Sequence, residues 1–117
     1  MFAGCTKLSS APSILPATTL AYQCYYCMFS SCSSLSSAPQ LSATTLANEC
    51  FAGMFEACSN LSSIEVAFTD WTGATDATYY WVYSIPSTGT RTFTKPSTLN
   101  TEFGVHRIPN GWTVINK

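Results

Sequence analysis

Apolar residues in this chain recur in a fixed order rather than in long runs. The spacing Phe-x-x-Cys-x-x-Leu occurs three times: Phe2, Cys5, Leu8; Phe29, Cys32, Leu35; Phe55, Cys58, Leu61. A spacing of three suits a tight turn of the 3₁₀ kind whose apolar edge enters a core. A strand is expected to follow at Leu8–Pro12, Leu35–Pro39 and Leu61–Val66. Ile64 stands in the place of Ala11 and Ala38, which marks that position as inward and leaves Ser10, Pro12, Ser37, Pro39, Ser63 and Glu65 outward. Pro12 and Pro39 have no N–H to give a ladder, so the strands should be short. Leu20, Cys24, Cys27 and Met28, with Ala21 and Tyr25 beside them, then recur at helical intervals, as do Leu46, Cys50 and Met54 with Ala47 and Phe51. That stripe predicts a helix of about three turns in each copy, with Thr18 and Thr19, or Thr44 and Thr45, as N-caps.

Aligned on Met-Phe, the copies start at Met1, Met28 and Met54, so the periods are 27 and 26 residues, and the extra residue falls between Pro12 and Pro16. This is the period of leucine-rich repeats, in which each unit supplies a strand plus a helix or 3₁₀ turn. The predicted fold is therefore an α/β repeat solenoid, a right-handed coil of short parallel strands and short helices. Its core is expected at Phe2, Cys5, Leu8, Leu20, Cys24, Met28, Phe29, Cys32, Leu35, Leu46, Cys50, Met54, Phe55, Cys58, Leu61 and Ile64. After Val66 the pattern degrades: Ala74–Tyr83 reads as a divergent third helix with Tyr79, Val82 and Tyr83 inward, and Thr90–Thr94 and Trp112–Asn116 read as strands. Repeats over 1–66 and a divergent unit with an aromatic C-terminal cap over 67–117 make one domain.

These residues give the chain a resemblance to the BspA-like leucine-rich-repeat proteins of bacterial surfaces. Copy one carries MFAGCTKLSSAP and LPATTLAYQCY, copy two MFSSCSSLSSAPQLSATTLANECF, and the tail STGTRTF and RIPNGWTV resembles the usual ending of such arrays. Cys27 departs from the pattern, standing where copy two has Gly53, and copy three lacks the ATTLA stretch. The resemblance implies cell-surface display and adhesion, and it brings no catalytic motif.

Composition narrows the function classes. Charged residues are only 9% of the chain, against about 25% in an average soluble domain, and Ser and Thr take their place. The net charge of −1 and the scattered cations Lys7, Arg91, Lys95, Arg107 and Lys117 give no basic stripe for nucleic acid. No apolar run approaches the roughly 18 residues of a membrane span. Phe2-Ala3-Gly4-Cys5 resembles a lipoprotein cleavage site, but no basic and apolar signal regions precede it. An export signal is expected upstream, and the chain is expected to be the C-terminal part of a longer array.

Six cysteines (Cys5, Cys24, Cys27, Cys32, Cys50, Cys58) raise metal and disulfide chemistry, and Cys24 to Cys27 is a CxxC. Five of them hold repeat-equivalent places on apolar stripes, which favours free buried thiols in columns. A disulfide through Cys27 and a metal site are the alternatives, the latter lacking a second CxxC or a His pair. His106, the one histidine, reads as a surface-loop residue, since no serine stands in a nucleophile elbow. The carboxylates Glu49, Glu56, Glu65, Asp70, Asp76 and Glu102 are dispersed, without a calcium loop or a glycosidase pair. Asn60-Leu61-Ser62 matches a glycosylation sequon at a place where Leu61 should be buried.

Trp71 and the tyrosine-rich stretches 25–26 and 79–83 are read mainly as core and cap packing, with Tyr22, Tyr26, Tyr80 and Trp81 off the inward stripe. The sequence thus predicts a non-enzymatic extracellular or cell-surface module, without cofactor or metal. Its protein or glycan ligand would sit on Ser10, Ser37, Ser63, Glu65, Tyr22, Tyr26, Tyr80 and Trp81. A structural spacer with no ligand of its own is the alternative. Self-association through the uncovered N-terminal coil is the second partner expectation.

Overall fold

The computed structural model describes residues 2–10, 14–15 and 19–117. The inward place expected for Ala11, the outward place of Pro12 and the cap at Thr18 lie outside the described residues. Among the described residues there is no helix. The regular elements are five strands: β1 (Ile14–Leu15), β2 (Gln40–Leu41), β3 (Ser63–Glu65), β4 (Thr92–Lys95) and β5 (Thr113–Asn116). β1 pairs with β2, and β3, β4 and β5 form a second sheet in chain order, every pairing being parallel. Isolated bridges Ser37–Ser63 and Leu41–Val66 link β2 to β3. The radius of gyration is 12.6 Å, with extents of 32 × 28 × 22 Å, close to the roughly 13 Å of a globule of this length. The expected α/β solenoid with helices is overturned. This is a compact body of two small parallel sheets whose crossovers are built from turns.

Backbone hydrogen bonding explains the replacement. In a first array of turns Cys24, Tyr26, Met28, Ser30 and Cys32 each donate an N–H to the carbonyl three residues back. The residues between them, Gln23, Tyr25, Cys27, Phe29 and Ser31, donate instead to Asn48, Cys50, Ala52, Met54 and Glu56 of a second array. The second array does the same toward a third: Glu49, Phe51, Gly53, Phe55 and Ala57 donate to Thr75, Ala77, Tyr79, Trp81 and Tyr83. Donors are thus satisfied half by local turns and half by the neighbouring layer, which meets the demand that buried N–H groups be paired. Every fourth residue has a positive φ: Gln23, Cys27 and Ser31; Glu49, Gly53 and Ala57; Asp76, Tyr80 and Ser84. Each such non-glycine residue costs about 1–2 kcal/mol, and each one stops a right-handed helix from propagating.

The apolar spacing fits this array better than a helix. Leu20, Cys24, Met28 and Cys32 are four apart, as are Leu46, Cys50, Met54 and Cys58. On a helix of 3.6 residues per turn each step of four drifts about 40° around the axis. A chain of turns with a four-residue period keeps all of them on one side. The tight turns expected at Phe-x-x-Cys-x-x-Leu are present, with Cys5, Cys32 and Cys58 donating to Phe2, Phe29 and Phe55, and Leu8, Leu35 and Leu61 donating to those cysteines.

Stacking of like on like makes the core. Phe2 lies on Phe29 with ring centroids 5.6 Å apart, Phe29 on Phe55 at 6.0 Å, and Tyr25 on Phe51 at 5.9 Å, each pair nearly parallel. All six cysteines are free, and two of them join the layers: Cys32 Sγ donates to Phe2 O at 2.9 Å and Cys58 Sγ to Phe29 O at 3.0 Å. Met28, Phe29, Cys32, Leu35, Leu46, Cys50, Met54, Phe55, Cys58, Leu61 and Ile64 are buried. Phe2, Leu8, Leu20 and Cys24 are only half-buried against this core. Cys5, expected inside, is exposed, since among the described residues no layer covers its outer side.

Three further expectations are corrected. In the first two copies the strand follows the proline rather than preceding it, so Leu15 and Leu41 face inward and Pro39 is buried rather than outward. The third array is displaced by one residue: the donors Gln23 and Glu49 match Asp76 by position and φ, a step of 26 and then 27. Ala77, Thr78, Trp81 and Val82 therefore point inward, and Tyr79 and Tyr83 point out. Trp81, expected on the ligand surface, is fully buried. It packs on Phe51, Phe55, Phe68, Trp71 and Phe93 and donates its indole N–H to Arg107 O at 2.8 Å. Such a donor fixes a large apolar ring in one orientation. The two C-terminal strands fall at β4 and β5, within two residues of their expected bounds. Lys95 in β4 is buried and gives its ammonium to Leu99 O and, at 2.8 Å, to Asn116 Oδ1 in β5.

Candidate functional site

The one-residue displacement of the third array sets which side chains share a column on the turn side. Matching donors place Tyr26, Ala52 and Tyr79 in one column, Cys27, Gly53 and Tyr80 in the next, and Ser30, Glu56 and Tyr83 in a third. The middle copy thus has Ala-Gly where both neighbours carry larger side chains. The result is a hollow of about 370 Å³ lined by Tyr26, Cys27, Ala52, Gly53, Glu56, Tyr79, Tyr80 and Tyr83. Two features favour glycine at position 53. Its φ is 64°, and a Cβ on it would stand 2.8 Å from Cys27 Sγ.

Tyr22, Tyr26, Tyr79, Tyr80 and Tyr83 are all exposed. Tyr80 meets Tyr79 edge-on at 4.7 Å and Tyr83 edge-on at 5.5 Å, so neighbouring rings stand nearly perpendicular. The Tyr26 phenol is pushed above its usual range by the Cys27 thiolate charge, by some desolvation, and by Glu49 and Glu56. Desolvation, then Glu56, raises the Cys27 thiol in the same direction.

His106 borders the same face and is not a solitary loop residue. Its ring stacks on Tyr79 at 5.1 Å and meets Tyr80 edge-on at 4.4 Å, and its Nδ1 accepts the Tyr80 N–H at 2.8 Å. Thr78 Oγ1 donates to His106 O at 2.7 Å. These bonds hold the 103–107 loop against the third array and open a groove of about 760 Å³ between them. Tyr79 and Phe103 stand at its edge with half their surface free. Asn48, Asp76, His106 and Arg107 supply polar groups. The Arg107 guanidinium lies 5.4 Å from the centre of the Trp71 ring and pairs with Glu102 at 3.2 Å.

The proposed ligand residues separate into two groups. Ser10 and Ser37 are exposed on the strand side, and Ser63 and Glu65 are half-buried there. Glu65 accepts from Gln40 Nε2 at 3.0 Å and pairs with Lys117, so it is tied into the sheet edge. Tyr22, Tyr26 and Tyr80 remain on the exposed turn side, joined by Tyr79 and Tyr83, which the sequence placed inside. Glu56, Asp76, Phe103 and Arg107 were not singled out as ligand residues. The groove joins positions 26–29 residues apart, as between Thr78 and His106, and no local spacing announces such a contact. The hollow had a visible sign: Ala52-Gly53 interrupting aromatic columns. Among the described residues no three His, Cys, Asp or Glu side chains gather as metal ligands would, and no helix is long and apolar enough to cross a membrane.

Comparison with protein-family models, curated proteins and solved structures found no match.

Proposed function

We propose that the protein is a non-enzymatic extracellular or cell-surface binding module that takes a protein or glycan ligand on its tyrosine face and the adjoining groove. The observation that carries this reading is the gathering of four exposed tyrosines, Tyr26, Tyr79, Tyr80 and Tyr83, around one hollow beside a mixed polar and aromatic groove. The rigid amphipathic ring of tyrosine is among the side chains that interfaces favour. The spelling of the repeats, which resembles that of BspA-like surface proteins, supports the placement outside the cell.

Screening the intact chain on glycan arrays and against surface proteins is the test. At least one ligand should bind, and the double substitution Tyr79→Ala with Tyr83→Ala should weaken it by about tenfold or more, the size of an interface hot spot. A ligand indifferent to that substitution would move the site elsewhere. Finding no ligand at all would favour a structural spacer.

A further inference from the structure

The hollow over Gly53 has a shape and a charge that select one kind of group. Stacked rings of successive layers lie 5.6–6.0 Å apart. Tyr26 of the first array and Tyr79 and Tyr80 of the third, two layers away, line a slot whose other lining includes Ala52 and Gly53 of the middle array, a gap wider than a single ring-to-ring spacing. A flat ring sandwiched between two others needs only about 7 Å, twice the usual carbon contact distance. A tetrahedral, methyl-covered group fills the wider slot, and at its centre sits within the roughly 6 Å over which a cation is attracted to an aromatic face.

Charge points the same way. Glu56 belongs to the middle array and lines the slot, its Oε2 3.9 Å from where a Gly53 Cβ would be. Among the described residues the two salt bridges, Arg107–Glu102 and Lys117–Glu65, do not involve Glu56. Glu49 stands close by, held by the Gln23 amide at 3.0 Å.

We propose that the hollow binds an N-methylated ammonium group, with Tyr26, Tyr80 and Tyr83 supplying aromatic faces and Glu56 the counter-charge. The inference rests on the tyrosine face being a recognition surface, and it adds the chemistry of one ligand. The ring quadrupoles attract the spread positive charge, and the methyl groups shed little water on entering.

The test uses the whole chain and three probes: choline, free Nε-trimethyllysine, and 3,3-dimethylbutan-1-ol, the uncharged carbon analogue of choline. Calorimetry gives affinities, and NMR follows the tyrosine ring signals. Both ammonium probes should bind and shift Tyr26, Tyr80 and Tyr83, and the uncharged analogue should bind at least about fivefold more weakly. The tighter ammonium probe identifies the carrier of the group. Tyr80→Ala should abolish binding while Tyr80→Phe keeps it, and Glu56→Gln should shrink the preference for charge. Circular dichroism of each variant should match the parent.

Equal binding of the uncharged analogue would overturn the proposal and leave the tyrosine face as an apolar ligand site. No binding of any probe would also overturn it. The wider reading would still stand if a screened protein or glycan responded to Tyr79→Ala with Tyr83→Ala.

Discussion

The first and second copies are nearly one sentence written twice, yet they live in different surroundings. Phe29, Cys32, Cys50 and Phe55 are fully buried, while Phe2 and Cys24 are half-buried and Cys5 is exposed. The spelling sets the direction in which a side chain points, and a layer on each side decides how dry that direction becomes. The thiols register the gradient. Burial drives Cys50 to about 11 and Cys58 to about 12, while Cys32, nearer the open side, is raised less far.

The sharpest way to break this comparison is to shorten equivalent phenylalanines. Phe29→Ala or Phe55→Ala should cost about 3–5 kcal/mol in denaturant titrations, the range for a large buried ring. Phe2→Ala should cost about 1–2 kcal/mol, as only part of its surface is withdrawn from water. Equal losses would show that the open layer is as well packed as the middle one.

Gly53 gives the next largest effect. Gly53→Ala should cost about 1–2 kcal/mol, from its left-handed backbone and the nearby Cys27 sulfur. In a Cys27→Ala background the steric share should vanish and the backbone share remain. An undiminished cost there would assign the whole penalty to φ.

Alkaline titration should show a smaller, graded loss. An unfolded cysteine ionises near pH 8.5, whereas folded Cys50 and Cys58 hold their protons to about 11 and about 12. The unfolded chain therefore loses its protons first. The stabilisation is complete below pH 8.5 and is lost as pH rises through the folded values. Cys50→Ala with Cys58→Ala should flatten the slope of the melting temperature between pH 9 and 11. The mildest effect is kinetic. Iodoacetamide at pH 8 should modify Cys5 first and spare Cys32, Cys50 and Cys58 until unfolding, since only an accessible thiolate reacts. Rapid labelling of Cys58 in the native protein would contradict its burial.

Much of the inside was legible from the repeat, because Met28, Cys32, Leu35, Met54, Cys58 and Leu61 are inward in turns as they would be in helices. The helices themselves were misread. Over one turn a four-residue period and a 3.6-residue period select nearly the same residues, and the drift becomes plain when Leu20 is followed through to Cys32. A tendency toward positive φ leaves no mark on Gln23, Glu49 or Asp76, and Gly53 alone betrays it. Trp81 and Tyr79 exchanged faces because the third array is one residue out of phase, and no Met-Phe pair follows Met54-Phe55 to set the count. The strands β4 and β5 were readable, since alternation and flanking turns are local signals. The meeting of Tyr79 and Tyr80 with His106 is long-range and was not.

The alternating bond pattern also gives the stack a sense of direction. In the paired strands N–H groups run both ways, Ala38 donating to Ser63 but Ser62 donating to Ser36. In the turn arrays every interlayer N–H points toward the later copy. The outer edge of the first array accordingly offers the carbonyls of Tyr22, Cys24 and Tyr26, to which no backbone N–H of the described residues donates. Two such edges brought face to face would set acceptor against acceptor, so self-association by zipping first copies together is disfavoured by its own hydrogen bonds. Such an edge behaves like one half of a fastener: it closes on a donor row and repels its mirror image.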